Sequence, residues 1–235
     1  MNIVITGATK GIGKAIAEIF AEDKQGHSFY LCARNEETLA LTGRELQGRF
    51  PRTNIFTRAC DVSDKSSVSD FANWILDQAD RIDILVNNAG LFIPGTVESE
   101  EDGTLEKMMA VNLYGSYQLT RALLPVMKKN GSGHIFNICS IASIKAYDNG
   151  GAYSISKFAM YGFSQNLREE LKPAGIKVTA VLPGAVLTDS WGEFDNSSKR
   201  IMEASDIARL IYSASHLSPQ ACVEEILIRP QLGDL

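Results

Sequence analysis

Residues 2–20 read NIVITGATKGIGKAIAEIF, and the order of elements in that stretch decides the fold. Asn2–Thr6 is rich in β-branched residues, which suit a pleated strand. Ile12, Ile16, Ile19 and Phe20 recur at the spacing of one helix face. Between them lies Gly7-Ala8-Thr9-Lys10-Gly11-Ile12-Gly13. Strand, glycine loop and helix in that order make a cradle for phosphate. Glycines let the backbone approach the anion, and the helix N-terminus offers unpaired N–H groups and the positive end of its dipole. The spacing G-x-x-x-G-x-G differs from the G-x-G-x-x-G dinucleotide fingerprint, so position at the first strand–helix junction carries the reading.

The same alternation continues outward. Strands are expected at 27–33, 54–59, 82–86, 134–138, 177–182 and 223–228. Helices are expected from an Asn35 N-cap to about Gln47, from Asp64 with Val68, Phe71, Ile75 and Leu76 inward, over 104–129, over 151–171, and from Ser205 or Asp206 to about Ser215. Seven strands alternating with six helices, without linker or repeat, predict an α/β fold. It is a single-domain, Rossmann-type doubly wound parallel sheet spanning residues 1–235. Ligands of such sheets bind beyond the strand C-termini, where this chain places Gly7, Arg34, Asp61, Asn88, Ser140 and Pro183.

Those positions differ in chemistry. An acid after the second strand receives a ribose 2′-hydroxyl in NAD-binding sheets. Here the residue is Arg34, and Lys10 sits in the glycine loop. Two cations suit a 2′-phosphate, so the expected cofactor is NADP(H). Asp61 could accept from an adenine amine or serve a turn. Asn87-Asn88-Ala89-Gly90 ends a buried strand with small residues that allow backbone to pack on a ligand. Asn112 is a poor helix former in the middle of a helical stretch, for which exposure is the ordinary account.

Tyr153 and Lys157 lie four apart on a predicted helix, one above the other. With seven tyrosines in the chain the spacing alone is a weak signal. Its chemistry is specific: an ammonium beside a phenol favours the phenolate and is expected to lower the tyrosine pKa from about 10. Ser140 ends a strand and could turn its hydroxyl to the same spot. Tyr147 could line the pocket or cover core. The polar stretch 186–200, with Trp191 and Phe194 set in it, reads as a substrate lid occupying roughly 185–203.

The chain has 235 residues, 45% of them apolar, and a net charge of −5. With no Lys/Arg run, a nucleic-acid partner is not expected. No apolar stretch suggests a membrane span, and no basic start or cleavage site suggests a signal peptide. Four scattered cysteines and three isolated histidines predict neither disulfides nor a metal site. The expected setting is a reducing, cytoplasmic one. In the 151–171 helix, Ala152, Ile155, Ala159, Phe163 and Leu167 form the predicted buried stripe. Phe158 and Tyr161 fall off it and suggest a subunit contact.

The chain resembles the short-chain dehydrogenase/reductase family over nearly its whole length. The match rests on Thr6-Gly7-x-x-x-Gly11-Ile12-Gly13, Asp61-Val62, Asn87-Asn88-Ala89-Gly90, Asn112, Ser140, Tyr153-x-x-x-Lys157 and Pro183-Gly184-x-Val186-x-Thr188. The resemblance implies a nicotinamide cofactor and homodimers or homotetramers, here through the helices 104–129 and 151–171. It implies a tetrad of Asn112, Ser140, Tyr153 and Lys157, with Asn112 keeping a water behind Lys157. Asn88, Ala89 and Gly90 would flank the nicotinamide ribose, Val186 and Thr188 the carboxamide. Thr9, Asn35, Val62, Pro183 and Gly184 join the expected cofactor contacts, and Tyr147 and Trp191 the substrate contacts. Gly133-His134-Ile135-Phe136, Pro183–Val186 with Trp191, and 223–230 are similar to bacterial sepiapterin-reductase-like members. The tail lacks the Val-Asp-Gly-Gly signature of fatty-acid-synthesis ketoreductases. The implied activity is NADPH-dependent reduction of a small ketone, diketone or pterin side chain. Oxidation of an alcohol or hydroxy acid, and non-catalytic NADP sensing, remain open alternatives.

Overall fold

In the computed structural model, residues 1–188, 191–192 and 194–233 are described. Seven strands form one sheet: β1 (Asn2–Thr6), β2 (Ser28–Ala33), β3 (Asn54–Ala59), β4 (Ile84–Asn87), β5 (Gly133–Ile138), β6 (Ile176–Pro183) and β7 (Glu225–Ile228). Their order is β3-β2-β1-β4-β5-β6-β7, and every pairing is parallel. The order reverses between β1 and β4, which run side by side with Val4 opposite Leu85 and Ile5 opposite Val86. That reversal opens a crevice at the C-terminal ends of both strands.

Helices α1 (Gly11–Glu22), α2 (Glu36–Arg49), α3 (Lys65–Leu76), α4 (Thr104–Met109), α5 (Gly115–Asn130), α6 (Gly151–Leu171) and α7 (Ala204–Ser215) cover the two faces. Strand residues alternate between two cores, as a pleat requires. Ile3, Ile5, Phe29, Leu31, Ile84 and Val86 pack with Ile16, Phe20, Ile207 and Ile211. Val4, Tyr30, Leu85 and Ile135 face the other way, onto Phe71, Ile75, Leu119, Leu123 and Leu167. With both faces covered, β1 and β4 read as unbroken apolar runs.

Local chemistry sets the helix ends. Asn35 Oδ1 accepts from the Thr38 N–H at 2.8 Å, and Asp64 accepts from Ser66 and Ser67. Helix α7 begins at Ala204, ahead of the expected start, because Glu203 and Asp206 cap each other's backbone. The expected single helix over 104–129 is interrupted: Ala110–Tyr114 is a π-helical segment joining α4 to α5. The predicted stripe of α6 also needs correction. Ile155 is exposed, while Ser154, Ser156, Lys157, Met160 and Ser164 are buried with Ala152 and Leu167. That face meets polar groups of neighbouring elements, so apolar periodicity misplaces it. Among the described residues no helix is long and apolar enough to cross a membrane, and all four cysteines are free.

Candidate functional site

The glycine loop leaves β1 at Gly7, with φ +66°, and enters α1 at Gly11, with φ +54°. Both are left-handed conformations that favour glycine. A Cβ at Gly13 would collide with the Gly7 carbonyl oxygen and lie 2.6 Å from Asn88 Nδ2. Lys10, the N-cap of α1, is extended and makes no side-chain cap, which leaves the first turn's N–H groups to face an anion. Thr188 closes the other side: its Cγ2 would stand 3.2 Å from a Cβ at Gly11. A backbone cradle that side chains would fill, set at a helix N-terminus, fits a pyrophosphate.

The turn after β4 is fastened to that loop. Thr6 Oγ1 accepts from the Asn88 and Ala89 N–H groups at 3.0 and 2.9 Å, and Asn88 Nδ2 donates to the Thr6 and Gly7 carbonyls at 2.8 and 3.0 Å. The Asn88 amide therefore braces the glycine loop. Gly90 does face the cleft, its Cβ position 3.7 Å from Lys157 Nζ. Beyond β2 and β3, Arg34 and Asn35 are exposed. Asn35 spends its carbonyl oxygen on the α2 cap. Asp61 Oδ1 accepts from the Ser63 hydroxyl and N–H. The Ser63 hydrogen bonds and the nearby Arg34 charge outweigh burial and hold its carboxyl below the ordinary value. Val62 is buried where Gly115 lets α5 approach its carbonyl. Past β6, Gly184 N–H binds the Ile228 carbonyl at 2.8 Å, and Val186 bridges to Met202. That bridge pins the base of the 185–203 stretch, of which residues 189, 190 and 193 lie outside the described residues. Trp191 packs against Phe194, ring centroids 5.2 Å apart.

Ser140, Tyr153 and Lys157 meet at the end of β5. Ser140 is extended and buried, its Oγ accepting from the Ala142 N–H at 3.1 Å while Ser143 Oγ accepts from its own N–H. The Ser140 side chain also lies close enough to the Tyr153 phenol to act on its proton. Lys157 is buried and donates to the Ile138 carbonyl at 2.9 Å. Its Nζ lies 5.8 Å from the Tyr153 ring centre.

The expected electrostatics are reversed in the protein alone. Burial pushes the Tyr153 phenol above its ordinary value, with the nearby Ser140 side chain opposing the rise. Burial likewise depresses the Lys157 ammonium. Desolvation disfavours the charged form of each, and the ammonium is directed at Ile138, so the phenolate gains little from it.

Asn112 is 1% exposed, contrary to the ordinary account of a helical asparagine. Its Oδ1 accepts from the Leu91 N–H at 2.7 Å, and its Nδ2 donates to the Leu91 carbonyl at 2.9 Å and Ser156 Oγ at 2.8 Å. Ser156 in turn donates to the Tyr153 carbonyl at 2.7 Å. The Asn112 side chain thus ties the turn after β4 to α6. The π segment displaces the chain here, as such bulges do near functional sites.

Two contributors escaped the sequence reading. Ser156 precedes Lys157, and only its buried pairing reveals its part. Phe92, 39% exposed, sets its ring edge-on to Tyr153 with centroids 4.9 Å apart. Its place two residues past Gly90 was the available signal. Burial raises the Tyr147 phenol, and the nearby Tyr153 adds to the shift.

Residues 1–199 match the short chain dehydrogenase family. The chain is 34% identical over 239 residues to a sepiapterin reductase of Chlorobaculum tepidum, covering 99% of this chain and 97% of that protein. A metagenomic short-chain oxidoreductase solved with NADP superposes with a TM-score of 0.84 at 32% identity, over 98% and 97% of the two chains. An alcohol dehydrogenase of the archaeon Thermococcus sibiricus, complexed with 5-hydroxy-NADP, gives 0.89 at 28% identity over 98% and 96%. A parallel sheet with its glycine loop at the reversal point and Ser140, Tyr153 and Lys157 beside it is thereby placed: the chain belongs to the short chain dehydrogenases, a family of oxidoreductases.

Proposed function

We propose that this protein reduces a small carbonyl compound, a ketone, diketone or pterin side chain, using NADPH. The observation that carries the reading is the convergence of Ser140, Tyr153 and the buried Lys157 at the end of β5, with Lys157 Nζ 5.8 Å from the Tyr153 ring centre. Bound NADPH supplies the hydride. Gly11, Ile12 and Gly13 hold the pyrophosphate through backbone N–H groups, and Lys10 and Arg34 receive the 2′-phosphate. Asp61 and Val62 border the adenine; Val186 and Thr188 border the carboxamide. Lys157 spends one of its three donors on Ile138 and directs the others to the ribose hydroxyls.

Ser140 donates to the substrate oxygen and stabilises charge developing there. Tyr153 gives that oxygen its proton. Burial keeps the phenol protonated, the state from which it donates. Phe92, Tyr147 and the lid residue Trp191 line the substrate side. Exposed Tyr114, Tyr117, Ile155 and Phe158 support a homodimer or homotetramer through α4–α5 and α6, and the setting is cytoplasmic.

Tyr153→Phe is expected to cut kcat by about 10²–10⁴-fold, the range of general acid help, with NADPH affinity retained. Diketones, pterins and β-hydroxy acids form the substrate panel with NADP(H). Near-normal turnover in the variant would remove Tyr153 as proton donor. NADPH binding by the wild type without turnover of any panel member would overturn the reductase reading.

A further inference from the structure

Between Gly90 and Thr104 the chain forms a loop that lies across the start of α6. Gly95 and Gly150 pair as a short parallel bridge. Gly95 N–H donates to the Asn149 carbonyl, and Gly151 N–H to the Gly95 carbonyl, each at 3.1 Å. Glu100 completes the contact: its Oε1 accepts from the Ala152 N–H at 2.7 Å, across 52 residues of chain.

Helix α6 has no cap of its own. Gly150 at the N-cap makes no side-chain bond, and the first turn contains no acid. A local Ser, Thr, Asp or Asn normally fills that place. Here a carboxylate from a distant loop takes it and faces the positive end of the helix dipole. Two glycines make the room. A Cβ at Gly95 would lie 2.7 Å from Glu100 Cγ, and one at Gly151 would collide with Glu100 Oε1. The loop grips the same turn a second time, through the Phe92 ring on Tyr153, the residue after Ala152.

We propose that Glu100 is a positioning residue, whose carboxylate fixes the first turn of α6 to the 91–103 loop and so holds Tyr153 and Phe92 in register. It acts through Ala152 and touches no reacting atom. The effect on turnover rests on Tyr153 being the proton donor; the clamp itself does not. Proton transfer requires the phenol within hydrogen-bond reach of the substrate oxygen, and small misplacements of a reacting group are costly.

The test compares Glu100→Ala with Glu100→Gln in the full chain, using 2,3-butanedione and NADPH, alongside amide hydrogen exchange. Glu100→Ala is expected to lower kcat by about tenfold or more, with the Kd for NADPH within about twofold. Exchange should accelerate together in 91–100 and 146–154. Glu100→Gln keeps an acceptor oxygen and is expected to restore kcat to within about threefold. If Glu100→Ala does not fold, Gly95→Ala, which crowds Glu100 Cγ while sparing the carboxylate, is expected to show the same paired exchange and loss. Unchanged protection of Ala152, or faster exchange with kcat and KM unaltered, overturns the proposal. Equal loss of kcat in the Gln and Ala variants does so as well. If wild type reduces no carbonyl, the reductase reading fails alone, and the paired exchange still decides whether the clamp exists.

Discussion

Replacing Asn112 by alanine removes a side chain that is 1% exposed and makes three hydrogen bonds, to the Leu91 N–H, the Leu91 carbonyl and Ser156. Each is worth about 1 kcal/mol net, and more where a buried partner is left unsatisfied. The expected loss is therefore about 3 kcal/mol. In a chain of this size 1 kcal/mol moves Tm by roughly 2–4 °C, so Tm should fall by about 6–12 °C. The kinetic effect arises from position. Leu91 adjoins Gly90, whose Cβ position is 3.7 Å from Lys157 Nζ, so a loosened Leu91 loosens the wall beside the ammonium. A displacement near 1 Å can cost about 10²-fold, and a fall in kcat of about 10- to 100-fold is expected. The assays are thermal unfolding and steady-state kinetics at 20 °C, with Ser156→Ala and the double variant completing a cycle. Because Asn112 and Ser156 share a bond, the cycle should return a coupling of about 0.5–3 kcal/mol. A Tm shift under about 2 °C with kcat unchanged would refute the bracing role, as the hydrogen bonds would then be replaced at no cost.

Arg34→Asp should move preference from NADPH toward NADH; an unchanged ratio of kcat/KM for the two cofactors would mean that Arg34 is surface charge only. His134 is buried, donates or accepts at Thr179 through Nε2 at 2.7 Å, and has its pKa lowered from 6.5 to about 3 by burial and by the Lys177 charge. The unfolded chain takes up this proton as pH falls below 6.5 while the folded chain resists until about pH 3. Stability should therefore decline across that window by about 1.4 kcal/mol per pH unit from this residue. His134→Gln should flatten the acid slope by that amount in urea titrations at successive pH values, and an identical slope would count against the assignment. Phe158→Glu places charge in the exposed α6 face and should yield monomers in sedimentation equilibrium, whereas an intact dimer would move the contact elsewhere.

The fold was readable because its determinants are local. Ile3, Val4 and Ile5 alternate between the two cores, and Asn35 and Asp64 cap helices within three residues. The site was readable where its chemistry lies close in sequence, as with Tyr153 and Lys157, or lies at a strand's end, as with Ser140. Asn112 reaches Ser156 across 44 residues, and Glu100 reaches Ala152 across 52; neither pairing leaves a periodic trace. The direction of the Tyr153 shift was misread for the same reason. Sequence places an ammonium near a phenol, whereas enclosure, which governs the pKa here, is a property of the packed protein. Ile155 was assigned to the core by its spacing, but the face α6 buries is lined by serines.

The π segment at Ala110–Tyr114 also bears on how this chain tolerates changes of length. A widened turn accommodates an extra residue, so the helix beyond it is rotated by about 100° against an unbroken α-helix. Upstream, α4 packs on α6; downstream, Leu119, Leu123 and Met127 enter the core shared with α3. One rod thereby presents two faces to two neighbours, like a key cut on both edges. Deleting a single residue from the segment would regularise the backbone and swing those three side chains out of their seats. Insertions and deletions in descendants of this chain should accordingly spare 104–130 and collect in the loops on either side.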